Sequence, residues 1–366
     1  MKLLIIHPRL NVLGGGERVA IHSIIEALRD GFEVYLAAEQ FDIDTFRDFF
    51  GVDGILNQVR LITYPPFRPV ARKVVIYQRI LYNQLRLRKI IAAHGPFDII
   101  LNTAEIGNHP APVAPSIQYC YFPEYFSHLE NNSGSLWNAY YSPARFFYRA
   151  RVSRIDRLLA VSNFTREVVK EMWGRESATL YPPCPIDLYT GLKLSKEDLV
   201  VTVGRIAPEK RMELFLEIAR KLSDIKFAII GSVASDKGPY FESLKARSPS
   251  NLSIVVSPLR KVKDILGRAK VYVHCARNEH FGITIVEAMS AGVVPIVNDS
   301  GGPREIVSED VGYRWVTTPD AVEQISKVVA DDNLRDKFAN AAVRRSRLFG
   351  PEQFESGIGK VLKELG

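Results

Sequence analysis

Cysteine is scarce: the 366 residues hold three, Cys120, Cys184 and Cys275, far apart and without a CxxC pair. That spacing argues against bridges or a metal ribbon and for packed thiols in a reducing compartment. Long apolar runs are missing too, since no stretch approaches the ~18 residues of a membrane helix. MKLLIIHP starts directly as a strand, with no leader pattern before it. The expectation is a cytosolic chain without a membrane span. There is no internal repeat or low-complexity tract, and no Gly-Lys-Ser/Thr, which excludes a Walker A loop. Acidic residues are absent between Arg60 and Lys89.

What fills that acid-free stretch is basic and apolar together. Arg68, Arg72, Lys73, Arg79, Arg86, Arg88 and Lys89 interleave with Phe67, Tyr77, Leu81, Tyr82 and Leu85, and ARFFYRARVSRIDR at 144–157 repeats the mixture, with Arg149 inside it. Such faces suit an anionic membrane surface. The alternative is a buried apolar face with solvated charges on the other side. The net charge of +7 also fits nucleic acid, but no nucleic-acid motif accompanies it, so nucleic acid is not expected as a partner.

With 46% hydrophobic and 24% charged residues the chain is globular, and its length exceeds what one core usually serves. Short β-branched runs alternate with amphipathic stretches, the pattern of parallel sheets covered by helices. KLLIIHP, EVYLAA, RLITYP, FDIILNT, SIQYCYF and RLLAVS form a first series; LVVTVGR, KFAIIGS, NLSIVVS, VYVHCA, VVPIVND and GYRWVTT form a second. The polar segment 185–198 reads as a linker. The prediction is an α/β protein of two Rossmann-like, doubly wound parallel-sheet domains facing across a cleft. They span 1–188 and 189–350, with a terminal helix over 351–366 started by Pro351 and packing back on the first domain.

Three strand exits carry the candidate chemistry. RLNVLGGGERV turns on Gly14, Gly15 and Gly16 into a helix, letting backbone N–H groups approach phosphate or sugar. Gly14 and Gly16 have the first spacing of a dinucleotide fingerprint and Glu39 stands where a ribose-binding acid would. Val19 occupies the third glycine position, so an NAD-dependent oxidoreductase stays an alternative of another class. VGRIAPEKR sets Arg205 and Lys210 where two cations can neutralise a diphosphate leaving group. A helix-start salt-bridge cluster with Glu209 and Glu213 is the competing reading. NEHFGITIVEAMSAG places Glu279 on a strand-to-helix turn and Gly282 at the helix start, an anion seat. Glu287 follows about 7 Å along, at ~1.5 Å per residue.

GGGER, GRIAPEK and NEHFGITIVEAMSAGVVPIVNDSGGPREIV together resemble the retaining glycosyltransferases of family 4, which have the two-domain GT-B fold. GGGERV, YPPC at 181–184, NEHFG and SGGP at 300–303 look most like the branch that moves mannose from GDP-mannose to a lipid-linked oligosaccharide at the cytosolic membrane face. The resemblance implies that Arg205 and Lys210 bind the diphosphate and, with Glu279, are catalytic. It implies that Gly15 and Gly16 approach the donor from the other domain, and that Glu279 and the backbone of His280, Phe281, Gly282 and Ile283 contact sugar and phosphate. Glu287 would bind the ribose hydroxyls. Configuration is retained without a protein nucleophile, and neither metal nor cofactor is expected.

Relatives often carry a histidine after a first-domain strand, and here Tyr121 takes that place, as a sugar or acceptor contact. Tyrosine donates a hydrogen bond but does not become a cation near neutral pH. The expected partners are thus GDP-mannose, a lipid-linked saccharide and an anionic membrane surface met through Arg72, Lys73, Arg79, Arg86 and Arg149. A UDP-sugar donor, a soluble acceptor and a noncatalytic sugar-nucleotide-binding protein are the alternatives. Asp42-Ile43-Asp44 imitates a metal-binding DxD but reads as helix-start acids.

Overall fold

A computed structural model describes residues 1–71, 74–111, 113–123, 134–192, 194–233, 237–256 and 259–366. They form two compact units, Met1–Pro183 with Pro351–Gly366, and Cys184–Gly350.

The first unit is built on seven strands: β1 (Lys2–Ile6), β2 (Glu33–Glu39), β3 (Arg60–Tyr64), β4 (Ile99–Asn102), β5 (Ser116–Cys120), β6 (Arg157–Ala160) and β7 (Ala178–Thr179). All pair in parallel, in the order β3-β2-β1-β4-β5-β6-β7. Leu3, Leu4, Ile5 and Ile6 are wholly buried, as a central parallel strand covered on both faces must be. Helices Gly15–Arg29 and Val75–His94 are among the crossovers, and the closing helix Pro351–Leu365 packs on Gly15–Arg29.

The second unit repeats the plan with β8 (Glu197–Val203), β9 (Lys226–Gly231), β10 (Leu252–Val256), β11 (Ala269–His274), β12 (Val294–Asn298) and β13 (Tyr313–Trp315), ordered β10-β9-β8-β11-β12-β13 and parallel throughout. Its covering helices differ in burial: Ile283–Ser290 is buried on all sides from Ile285 on, whereas others bury one stripe. Met212–Lys221 turns Met212, Phe215, Leu216, Ile218 and Ala219 inward and leaves Arg220 exposed. Phe215 meets Phe227 of β9 edge-on at 5.3 Å, and each such buried aromatic contributes on the order of 1.5–3 kcal/mol.

In both sheets the strand order reverses beside the first strand, at β1/β4 and at β8/β11. Connections leaving adjacent strands there run to opposite sides and open a crevice at the strand ends. The structure adds β7, two residues too short to read from sequence. It also starts β8 at Glu197, inside the stretch read as linker.

Candidate functional site

In the second unit, the reversal between β8 and β11 brings two strand exits together. After β8 the chain passes Gly204 and Arg205 into the short turn Pro208–Lys210, closed by Arg211 at φ 51°. After β11 it passes Cys275 to Asn278, which stands at φ 52°, and reaches Glu279. The Lys210 ammonium donates to Glu279 Oε2, and His274 Nε2 lies 3.5 Å from the same oxygen. Burial opposes ionisation of Glu279, but His274 and Lys210 outweigh it and hold the carboxyl well below the usual range. Glu279 is therefore an anion at any physiological pH. The pKa of the neighbouring His280 is lowered as well, because burial and Lys210 disfavour its cation more than Glu279 favours it.

The loop bearing Glu279 is braced from behind by SGGP. Asn278 N donates to Ser300 Oγ at 2.9 Å, Ser300 Oγ donates to Asn298 Oδ1 at 2.7 Å, and Gly302 N donates to the Glu279 carbonyl at 2.8 Å. A Cβ on Gly301 would stand 2.5 Å from the Glu279 carbonyl oxygen, and one on Gly302 2.6 Å from that of His280. Two glycines are what lets the loops touch backbone to backbone. Gly282 then caps helix Ile283–Ser290 at φ 112°, where a side chain would also strike Ile285. Phe281 is buried against Phe349 with ring centroids 5.6 Å apart, Tyr272 of β11 shares a 2.8 Å hydrogen bond with Thr284, and Glu287 is buried within the helix. The turn and helix start are thus fixed from several sides.

Lys210, Glu279, His280, Phe281, Gly282 and Ile283 accordingly meet at one place. Arg205 is exposed, with its Nη2 3.7 Å from Glu209 Oε1, a pair worth little in water. The helix-start cluster goes no further, since Glu213 instead accepts a 2.6 Å hydrogen bond from Tyr240. Ser257 and Pro258, after β10, lie outside the described residues.

In the first unit, Gly14 caps helix Gly15–Arg29 and donates its N–H to Glu17 Oε2 at 2.8 Å. Glu17 is buried, with Oε1 3.7 Å from His7 Nε2, and His7 Nδ1 is 3.0 Å from Thr103 Oγ1. Burial works against the Glu17 anion, yet His7 and the backbone donors hold its pKa below the ordinary value. The Tyr121 hydroxyl lies 3.1 Å from the carbonyls of both Gly16 and Thr103, so its proton serves the Gly-rich turn rather than standing free. His7 and Glu17 were not singled out from sequence. An acid three residues after a capping glycine was the available signal.

Arg79 lies over Phe67 at 5.3 Å and Arg86 over Tyr82 at 5.1 Å, while Arg149 reaches the Met172 carbonyl from helix Ser135–Val152. Arg72 and Lys73 lie outside the described residues. The apolar residues of these helices divide between packed and exposed positions. Ile76, Tyr77 and Ile80 pack on a core with Tyr141 and Tyr148, whereas Leu81, Leu85, Leu136 and Phe146 are 61%, 53%, 85% and 78% exposed. Among the described residues no helix is long and apolar enough to cross a membrane. Asp42 caps helix Ile43–Phe50 through Thr45 N at 3.1 Å, as expected of a helix-start acid.

Two families match the chain, Glycosyltransferase Family 4 over residues 13–188 and Glycosyl transferases group 1 over 191–345. Among similar curated proteins is the GDP-Man:Man(3)GlcNAc(2)-PP-Dol alpha-1,2-mannosyltransferase of Caenorhabditis elegans, 27% identical over 236 residues, 56% of this chain and 50% of that protein. Proteins of the same name from Yarrowia lipolytica and Homo sapiens are 32% and 26% identical, over 39% and 61% of this chain and 27% and 52% of theirs. The matches thus span about half the length of these relatives, or less. Sucrose-phosphate synthase from Thermosynechococcus elongatus superposes with a TM-score of 0.77 at 14% identity, covering 100% of this chain and 99% of its own. Anabaena HepE in complex with UDP and glucose gives 0.73 at 14%, covering 99% of each. A Family 4 domain followed by a group 1 domain, each a parallel sheet under helices, makes this chain a member of the GT-B glycosyltransferases.

Proposed function

We propose that the protein transfers mannose from GDP-mannose to a hydroxyl of a lipid-linked saccharide, with retention of configuration, at the cytosolic face of a membrane. The observation that carries this reading is the ionised Glu279 held between Lys210 and His274 at the mouth of the Gly282 helix start. A carboxylate that accepts sugar hydroxyls, an ammonium for phosphate and a helix dipole for the same anion are what a nucleotide sugar requires. The choice of mannose, GDP and a lipid carrier rests on the names of the relatives, and the reaction is transfer in either case.

In this mechanism the acceptor oxygen bonds to the anomeric carbon from the face that the diphosphate leaves. The carbon–oxygen bond to phosphate breaks with its electron pair going to the diphosphate, and a phosphate oxygen takes the acceptor's proton. Lys210 and Arg205 stabilise the charge that develops on the leaving group, and Arg205 gives up only an exposed contact with Glu209 to do so. Glu279 orients the sugar, while Glu287 accepts from the ribose hydroxyls. Gly15 and Gly16 are donor-binding positions in the same reading, and no metal takes part.

The exposed leucines and Phe146, interspersed with Arg79, Arg86 and Arg149, would seat the first unit on anionic lipid, alongside Arg72 and Lys73. The test is transfer of radiolabelled mannose from GDP-mannose to a dolichol-linked Man(3)GlcNAc(2) acceptor, with and without anionic vesicles. The expected result is product that depends on vesicles and falls as salt rises. Equal transfer to a soluble saccharide, indifferent to both, would contradict the membrane part. Transfer only from a UDP-sugar would contradict the donor.

A further inference from the structure

His274 ends β11, and its buried imidazole faces the Glu279 carboxylate. Its Nε2 lies 3.5 Å from Oε2, the oxygen that also takes Lys210, and its Nδ1 is buried with no hydrogen-bond partner among the described residues. The unpartnered nitrogen decides the tautomer. A proton on Nδ1 would bury an unpaired N–H and set the Nε2 lone pair against a carboxylate oxygen. A proton on Nε2 instead gives that oxygen a donor and leaves only a bare lone pair behind, the cheaper arrangement. Both described partners of the carboxylate thus act on Oε2, and Oε1 is the oxygen left to accept.

We infer that His274 is a positioning residue: its Nε2–H, opposed by Lys210, fixes the rotation of the Glu279 carboxylate so that Oε1 is presented to a hydroxyl of the donor sugar. Lys210 alone does not do this, because a partly exposed ammonium on a four-carbon stem can swing with the carboxylate. A ring packed in the strand end cannot. The strand end and the SGGP brace then hold Glu279 from side chain and backbone independently. This inference rests on the reading of Glu279 as a sugar-binding group.

The experiment measures the dissociation constants of GDP-mannose and of GDP for the full chain, so that their ratio isolates the sugar. His274→Asn and His274→Phe should weaken GDP-mannose about tenfold or more and leave GDP within about twofold, as loss of the donor that faces the carboxylate implies. His274→Gln, whose amide nitrogen reaches the Nε2 position, should recover most of the loss. In a Glu279→Ala background, His274→Asn should add nothing. Unchanged GDP-mannose binding in both His274→Asn and His274→Phe, with Glu279→Ala impaired, would overturn the positioning role and leave the sugar site standing. Equal weakening of GDP and GDP-mannose would reduce His274 to a structural residue and overturn the role as well. Unchanged binding in Glu279→Ala, or none in the wild type, would overturn the reading beneath it.

Discussion

Glu279 and His109 show how the same burial ends in opposite charge states, depending on the partners beside the group. Glu279 has a lysine and a histidine beside it, so the cost of desolvation is exceeded and the anion persists. His109 is buried with only the Pro110 carbonyl, 3.0 Å from Nδ1, as a ring partner among the described residues, and burial lowers its pKa to about 4. The unfolded chain binds a proton near 6.5 and the folded chain does not. Stability from this group is therefore complete above about pH 6.5 and is lost as pH falls toward 4, by up to roughly 3 kcal/mol. His109→Gln should flatten that part of the acid limb in denaturant titrations at pH 7, 6, 5 and 4; an unchanged slope would assign the loss to other groups. The glutamates and Lys210 were legible because spacing around a helix start gives them a pattern. His274, His7 and Glu17 were not, since one polar residue in or beside an apolar strand or Gly-rich turn carries no period. Tyr121 was noticed by its place, but only contact shows its hydroxyl engaged by Gly16 and Thr103.

At the scale of elements, twelve strands follow from β-branched runs, and the order reversal at β8/β11 is what converts two of them into a site. Sequence shows that β8 and β11 exist; only pairing of Val200 with Val271 makes Lys210 and Glu279 neighbours across 69 residues. SGGP reads as a turn, while its service as a brace depends on the close approach of two backbones. The closing helix is held by a small ionic cluster: Glu355 accepts from His22 Nδ1 at 2.8 Å and pairs with Arg29 Nη1 at 3.1 Å. Burial lowers the His22 pKa despite that partner. Glu355→Ala should cost about 1–3 kcal/mol of protection in helix Pro351–Leu365, since it strands a largely enclosed histidine. Lys363→Ala, which removes the partly exposed 2.7 Å pair with Asp30, should cost less than about 1 kcal/mol. Amide hydrogen exchange resolves both. Equal protection in the two variants would mean that apolar contacts such as Phe354 on Tyr119 carry the docking alone.

For the molecule as a whole, composition alone allowed several partners, and the positions of charged and apolar residues add a second line of argument. The positive charge is spread over both units, but the exposed apolar residues Leu81, Leu85, Leu136 and Phe146 fall on two helices of the first, next to aromatic-stacked arginines. The carboxylates with helix-start geometry fall in the second. The proposed function assigns the activated sugar to the second unit and the acceptor to the first, and each assignment is open to its own test. The measurement that bears most directly on the central claim is calorimetric titration of GDP-mannose, UDP-glucose, UDP-N-acetylglucosamine and NAD into the wild type and a Glu287→Ala variant. The account predicts binding of GDP-mannose in preference to the others, weakened at least about tenfold in the variant by loss of the ribose acceptor. Binding of NAD alone, or GDP-mannose affinity indifferent to Glu287, would contradict it.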